Sequence, residues 1–351
     1  MRLLSSFVFV LIFVSSCSGD ANAPSPGDQP DLLGAPASED LALGGDPSRP
    51  DLAPPPAQVD PGQPGPVAKT CRFDVAVPVA MGFGGNVNTT VIGPSDDGST
   101  LSMKNAPFAT IVFSPGFSVD RNAYSSHTTR LATHGFLVIT QAFRNAGDHT
   151  QDRDDTIKVI NWYLAPTGQD AARVTGRVDA SRLGVAGHSL GGKISFLVAE
   201  ADARVKAAFG IDPVNSAPPF GQAPSAITGL PGYKGFSGFL GETNSQGGFM
   251  ACAPASDNFQ KFFAAANAPS FAITFAGAAH NDFVDPGACQ LCSFACPGSK
   301  GMQAQTVALA NKYAVAFFRA RLWGEMGQLS YLTGAEFQKD AMTGSVSVQA
   351  K

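Results

Sequence analysis

Between residues 71 and 323 the chain alternates two kinds of apolar pattern. Short runs rich in Val, Ile, Phe and Ala predict strands over 73–77, 90–92, 110–114, 136–140, 183–186, 207–211, 236–240 and 271–275. The first stops at Pro78, which has no N–H to give a ladder. The later ones are continuous apolar runs, as expected of strands covered on both faces. Longer segments between them predict helices over 122–134, 154–164, 190–200, 259–265 and 304–322. Strand and helix in alternation predict an α/β fold: one domain over 71–323, with a mostly parallel sheet of about eight strands flanked by helices. The Pro- and Gly-rich segment 214–234 follows a strand end and predicts a loop or small lid over a site at that rim. Residues 324–351 read as a C-terminal tail of doubtful order.

The start of the chain has a different character. Met1-Arg2 is a short positive region, and residues 3–14 are apolar apart from Ser5 and Ser6, a run too short to span a hydrocarbon core of about 30 Å as a helix. Residues 1–17 therefore predict an export signal. It ends in Val14-Ser15-Ser16-Cys17, which resembles the bacterial lipobox; that resemblance implies lipidation of Cys17 and a membrane lipoprotein, periplasmic or cell-surface. An ordinary cleaved signal is the alternative. Residues 18–70 hold 12 of the 26 prolines and no Phe, Tyr or Trp, so they cannot bury enough apolar surface to offset the entropy of ordering. They predict a disordered spacer with a reach on the order of 40 Å.

Charge narrows the function classes. A net charge of −4 with 15% charged residues provides no basic field for nucleic acid. Besides Cys17 there are five cysteines, Cys71, Cys252, Cys289, Cys292 and Cys296. In an exported chain the cluster at 289–296 predicts one or two disulfides, with a metal site as the lesser reading and the pairing left open.

The decisive chemistry lies at Gly187-His188-Ser189-Leu190-Gly191. An apolar strand runs into Gly-x-Ser-x-Gly and then into a helix, so Ser189 sits on a strand-to-helix turn that projects its hydroxyl alone. The helix start behind it offers free N–H groups to a developing oxyanion. Ser189 is thus the predicted nucleophile.

Five histidines are available to serve it: His127, His134, His149, His188 and His280. The expected chain order is Ser, then acid, then His. His188 lies inside the turn, aimed away from its neighbour, and three others precede the serine. His280 remains, just after the strand at 271–275, and is the predicted general base. Asp212, at the abrupt end of the buried strand at 207–211, is the favoured acid because an unpartnered carboxylate there would be costly. Glu242, after the next strand, is its rival. Asp282 and Asp285 are too close to His280 in sequence and are expected to order its loop. The loop Ser114-Pro115-Gly116-Phe117-Ser118 predicts Phe117 N–H as partner to Leu190 N–H in an oxyanion hole. Phe117, Phe220 and some of the phenylalanines between Phe236 and Phe283 are candidates to line a lipophilic pocket.

At these residues the chain resembles the branch of α/β hydrolases that holds chlorophyllases, platelet-activating-factor acetylhydrolases and bacterial polyester (cutinase-like) hydrolases. The likeness covers about 111–323 and rests on Ser-Pro-Gly-Phe at 114–117, Leu-Ala-Thr-His-Gly-Phe-Leu-Val-Ile at 131–139, Val-Asp-Ala-Ser-Arg-Leu-Gly-Val at 178–185, the serine turn, and His-Asn-Asp-Phe at 280–283. The polyester hydrolases carry their acid after the later strand, where this chain has Glu242-Thr243-Asn244. Gly210-Ile211-Asp212-Pro213-Val214 resembles chlorophyllases, and the acetylhydrolases also place their acid at this earlier strand, which favours Asp212. The elbow has Leu190 where chlorophyllases usually have a charged residue. The resemblance implies an α/β-hydrolase fold and hydrolysis of a carboxylic ester, though not of chlorophyll specifically; small-molecule or lipid esters are the expected substrates, the serine mechanism requires no cofactor or metal, and the chain is expected to be monomeric. A phospholipase or acetylhydrolase acting on short-acyl phospholipids, or an inactive binding lipoprotein, are the alternatives.

Overall fold

The structure is a computed structural model that describes residues 59–81, 85–216, 223–247, 251–289, 292, 296, 298–299 and 301–351. The expected export signal, Cys17, Phe220 and most of the expected spacer lie outside these residues.

Among the described residues nine strands form one sheet: β1 (Thr70–Pro78), β2 (Asn86–Pro94), β3 (Phe108–Ser114), β4 (Leu137–Gln141), β5 (Val178–His188), β6 (Val205–Ile211), β7 (Phe236–Glu242), β8 (Ser270–Phe275) and β9 (Val346–Ala350). Their spatial order is β1-β2-β4-β3-β5-β6-β7-β8-β9. The six strands from β4 to β8 in that order pair in parallel, while β1 and β2 at one end and β9 at the other are antiparallel. Among the described residues the helices are α1 (Ser125–Thr133), α2 (His149–Leu164), α3 (Ala171–Val174), α4 (Leu190–Ala201), α5 (Ala226–Gly229), α6 (Phe259–Ala265), α7 (Gln303–Leu322) and α8 (Ala335–Ala341).

The central strands feed both faces, which is why they read as unbroken apolar runs. Along β6, Ala208 joins one core with residues of α2, α4 and α6, while Ala207, Phe209 and Ile211 join the opposite core with residues of α1 and α7. Successive side chains point to opposite faces, so each strand needs apolar residues at every position. This is the mixed α/β architecture of α/β hydrolases, with the carboxyl ends of β3, β5, β6, β7 and β8 along one rim.

The domain is wider than 71–323 at both ends. Residues 59–70 are hydrogen-bonded to it: Val67 N–H donates to Thr133 O at 3.0 Å, Arg130 to Gly62 O at 3.1 Å and Gln328 to Val59 O at 2.8 Å. The tail at 324–351 is ordered. The buried guanidinium of Arg319 makes a two-bond ion pair with Glu325, at 2.7 and 2.8 Å, and α8 and β9 follow. β9 closes the β8 edge, with Phe275 opposite Val346 and Phe271 opposite Ala350. Its polar outward residues hide this strand in the sequence, because only pairing with β8 gives it a reason to form. The 214–234 segment also carries α5 and a short 3-10 turn, Leu230–Gly232.

Candidate active site

β5 delivers Ser189 into a backbone conformation of φ 57°, ψ −121°, in the left-handed region that residues with a Cβ rarely adopt. Close packing enforces the turn. A Cβ on Gly191 would lie 2.0 Å from Ser114 O, and one on Gly187 would lie 2.4 Å from the Gly191 carbonyl. The β5–α4 turn therefore presses against the end of β3. Ser189 N–H donates to Ile211 O at 3.0 Å, and its own carbonyl accepts Lys193 N–H and Val214 N–H. The turn is thus tied to β6 and to the segment that follows it.

Asp212 is the first residue after β6, also at positive φ (43°) and fully buried. Its N–H donates to Leu240 O at 2.8 Å, which aims the side chain along the rim. Asp212 Oδ2 accepts from His280 Nδ1 at 2.6 Å. With that proton on Nδ1, Nε2 is left as acceptor, and it lies 2.8 Å from Ser189 Oγ. Burial pushes the Asp212 carboxyl up, and the His280 hydrogen bond opposes the shift. The three side chains named from the sequence thus meet at the carboxyl ends of β5, β6 and β8.

The second acid, Glu242 at the end of β7, does not touch His280. Its Oε2 accepts Ser245 N–H at 2.7 Å, and burial together with the Asp212 charge pushes its carboxyl up to about 8. It is fully buried, at the end of β7. Ser245 in turn accepts His280 N–H on its Oγ at 3.0 Å. Sequence reasoning missed this support, since nothing local marks Ser245. Asp282 accepts Ala279 N–H at 2.8 Å and Ser299 N–H at 3.1 Å, and Asp285 accepts Ser126 N–H at 2.9 Å; both order the His280 loop.

The backbone N–H groups of Phe117 and Leu190 have no hydrogen-bond partner among the described residues. Among the described residues Phe117 is the one exposed phenylalanine, with 54% of its surface open. The expectation that some of the phenylalanines between Phe236 and Phe283 line a pocket needs correction for the described ones; Phe249 lies outside the described residues. Phe239, Phe259, Phe262, Phe271, Phe275 and Phe283 are buried core, and Phe236 lies under the guanidinium of Arg321. Lys193 is a further surprise: fully buried on α4, it donates to Asn215 O at 2.9 Å and fastens the segment beyond Asp212 to the elbow helix. A cavity of about 400 Å³ opens beside the Gly116 loop, lined by Pro115, Gly116, Val119, Arg121 and Phe143.

Two disulfides, Cys252–Cys296 and Cys289–Cys292, stand near the His280 loop, and Cys71 is free and buried. Asn281 joins them to the site by donating to Cys292 O at 2.7 Å and to Cys296 O. The bridges fit an exported protein. Among the described residues no helix is long and apolar enough to cross a membrane.

Comparison with known proteins agrees with this geometry. The chain is 32% identical over 149 residues to a bis(hydroxyethyl) terephthalate hydrolase of Streptomyces coelicolor, covering 42% of this chain and 43% of that protein. It is 26% identical over 202 residues to chlorophyllase-2 of Arabidopsis thaliana, covering 52% and 63%. It is 31% identical over 134 residues to a cutinase of Thermobifida alba, covering 38% and 40%. The matched stretch thus spans less than two thirds of each of these relatives. The family model of chlorophyllase matches residues 100–341, well over half of the chain, and with the fold and rim geometry this shows that the chain belongs to the chlorophyllase family.

Proposed function

We propose that this protein is a serine hydrolase that cleaves carboxylic esters through an acyl-enzyme. The observation that carries the reading is the continuous hydrogen-bonded line Ser189–His280–Asp212, at 2.8 and 2.6 Å, built on a turn with positive φ at the nucleophile. Ser189 Oγ attacks the ester carbonyl carbon while His280 Nε2 takes its proton. Asp212 holds the ring and stabilises the imidazolium. The N–H groups of Phe117 and Leu190 receive the oxyanion. Collapse of the tetrahedral adduct expels the alcohol, which takes the proton from His280. Water then attacks the acyl-enzyme with His280 again as base, releasing the acid and restoring Ser189.

The exposed Phe117 beside this centre supports lipophilic esters as the substrate class, and the printed activities of the terephthalate-ester hydrolase and cutinase relatives point the same way. The Val14-Ser15-Ser16-Cys17 sequence supports a lipid anchor on Cys17, with residues 18–58 as tether, which would hold the domain near a membrane. A panel of p-nitrophenyl esters of graded acyl length tests the activity. Wild type turns over at least one of them, and Ser189→Ala does not. Equal turnover by Ser189→Ala would remove the reading.

A further inference from the structure

We propose that His188 and Tyr124 form a positioning unit that holds the oxyanion loop and the His280 turn to one another, so that both halves of the ester-cleaving site are set by one buried hydrogen-bonded chain. The inference rests on the proposed function above and concerns residues with no place in its chemical steps.

The chain starts at the oxyanion loop. Gly116 N–H, one residue before the Phe117 donor, gives its hydrogen bond to Tyr124 Oη at 3.0 Å. Tyr124 Oη lies 2.9 Å from His188 Nδ1, and His188 Nε2 lies 3.0 Å from the carbonyl oxygen of His280. Donors and acceptors leave one assignment. The His280 carbonyl can only accept, so Nε2 carries the proton. Nδ1 is then an acceptor and takes the Tyr124 O–H, whose oxygen in turn accepts Gly116 N–H. Tyr124 and His188 are both buried, and the 188 and 280 rings stand 4.6 Å apart between centroids.

The direction of the chain has a consequence for charge. A second proton on His188 would face the Tyr124 oxygen, turning its O–H away from its acceptor. It would also set a cation against the ring that must take up the Ser189 proton. Burial, and the neighbouring His280 and His127 rings, hold His188 well below the usual histidine range, in keeping with the neutral form. His280 is thereby held at three places: Nδ1 by Asp212, its N–H by Ser245 and its carbonyl by His188. The last of these also reaches the oxyanion loop.

Steady-state hydrolysis of a short p-nitrophenyl ester, with melting curves on the same samples, tests the unit. Tyr124→Phe keeps the ring and removes the link. Its kcat should fall about ten- to a hundredfold, as expected when donor and base are slightly misplaced, with KM within about threefold. His188→Leu should do the same, and His188→Gln, which keeps a donor and an acceptor, should restore most of the rate. A folded Tyr124→Phe with wild-type kcat overturns the proposal. Nitrogen-15 NMR of the wild-type imidazoles tests it without any variant: His188 should carry its proton on Nε2 alone, and a proton on Nδ1 at neutral pH overturns it. Ser189→Ala separates the two levels. Activity surviving there sinks the proposed function, whereas activity lost there but intact in Tyr124→Phe sinks only the positioning unit.

Discussion

Two carboxyl groups sit within one rim of this protein, and their surroundings give them different work. Asp212 faces His280 Nδ1 at 2.6 Å, whereas Glu242 faces a backbone N–H. Replacing Asp212 by Asn lets the ring adopt the wrong tautomer, so kcat should fall by about four orders of magnitude with the fold intact. Glu242→Gln should leave kcat within a few-fold, because glutamine resembles the protonated acid and keeps the bond to Ser245. The two kcat values check both statements. Glu242 also carries a pH signature. Its folded carboxyl titrates at about 8, against an ordinary value of 4.5, so the native state keeps a proton that the unfolded chain has released. Stability of the wild type therefore falls as pH rises through that window. Glu242→Gln lacks this slope, and calorimetry should show its advantage in melting temperature growing from acid to mildly alkaline pH. Which of the two acids meets His280 could not be read from spacing alone, since each follows a strand. The buried end of β6 favoured Asp212, because an unpartnered carboxylate there would be costly, and the resemblance to chlorophyllases supported that choice.

At the scale of elements, the β5–α4 turn is the part most legible in the sequence. Its requirements are local: an apolar strand, glycines where the chain crowds, and a helix behind. The structure shows how little room there is, with Gly191 seated on the carbonyl of Ser114. Gly191→Ala forces backbone apart and should destabilise the protein by several kcal/mol, about the upper end for single substitutions. Gly247→Ala, where an added Cβ meets nothing within 4 Å, serves as the control in denaturant titrations. The cores of the central strands were equally plain, because burial on both faces leaves an apolar run, whereas β1 alternates buried and exposed positions. Their ends were not. β5 begins at Val178, five residues before its apolar run, because Asp179, Ser181 and Arg182 are polar and Ala180 and Ser181 are exposed. β9 and α8 were invisible for a related reason, since both depend on partners distant in sequence.

For the whole molecule, the links across the sheet matter most. Arg319 ties the tail to the β4 side through His134 O, and β9 covers the opposite edge. The Cys252–Cys296 bridge closes a separation of 44 residues around the His280 loop. Chain-entropy reasoning gives a bridge of that span a stabilisation of about 4 kcal/mol, far more than one joining residues as close as Cys289 and Cys292. Cys252→Ser with Cys296→Ser should therefore lower the melting temperature clearly more than loss of the shorter bridge, as thermal denaturation will show. The five cysteines predicted such bridges but not their pairing, which depends on where the loops meet in space.

The central claim is that one hydroxyl, at Ser189, is the nucleophile. Incubation with a fluorophosphonate followed by peptide mass spectrometry addresses it directly. The account predicts a single adduct on the peptide containing Ser189, lost in Ser189→Ala and suppressed in Asp212→Asn. A folded, ester-hydrolysing protein that stays unmodified, or carries its adduct on another residue, would contradict it.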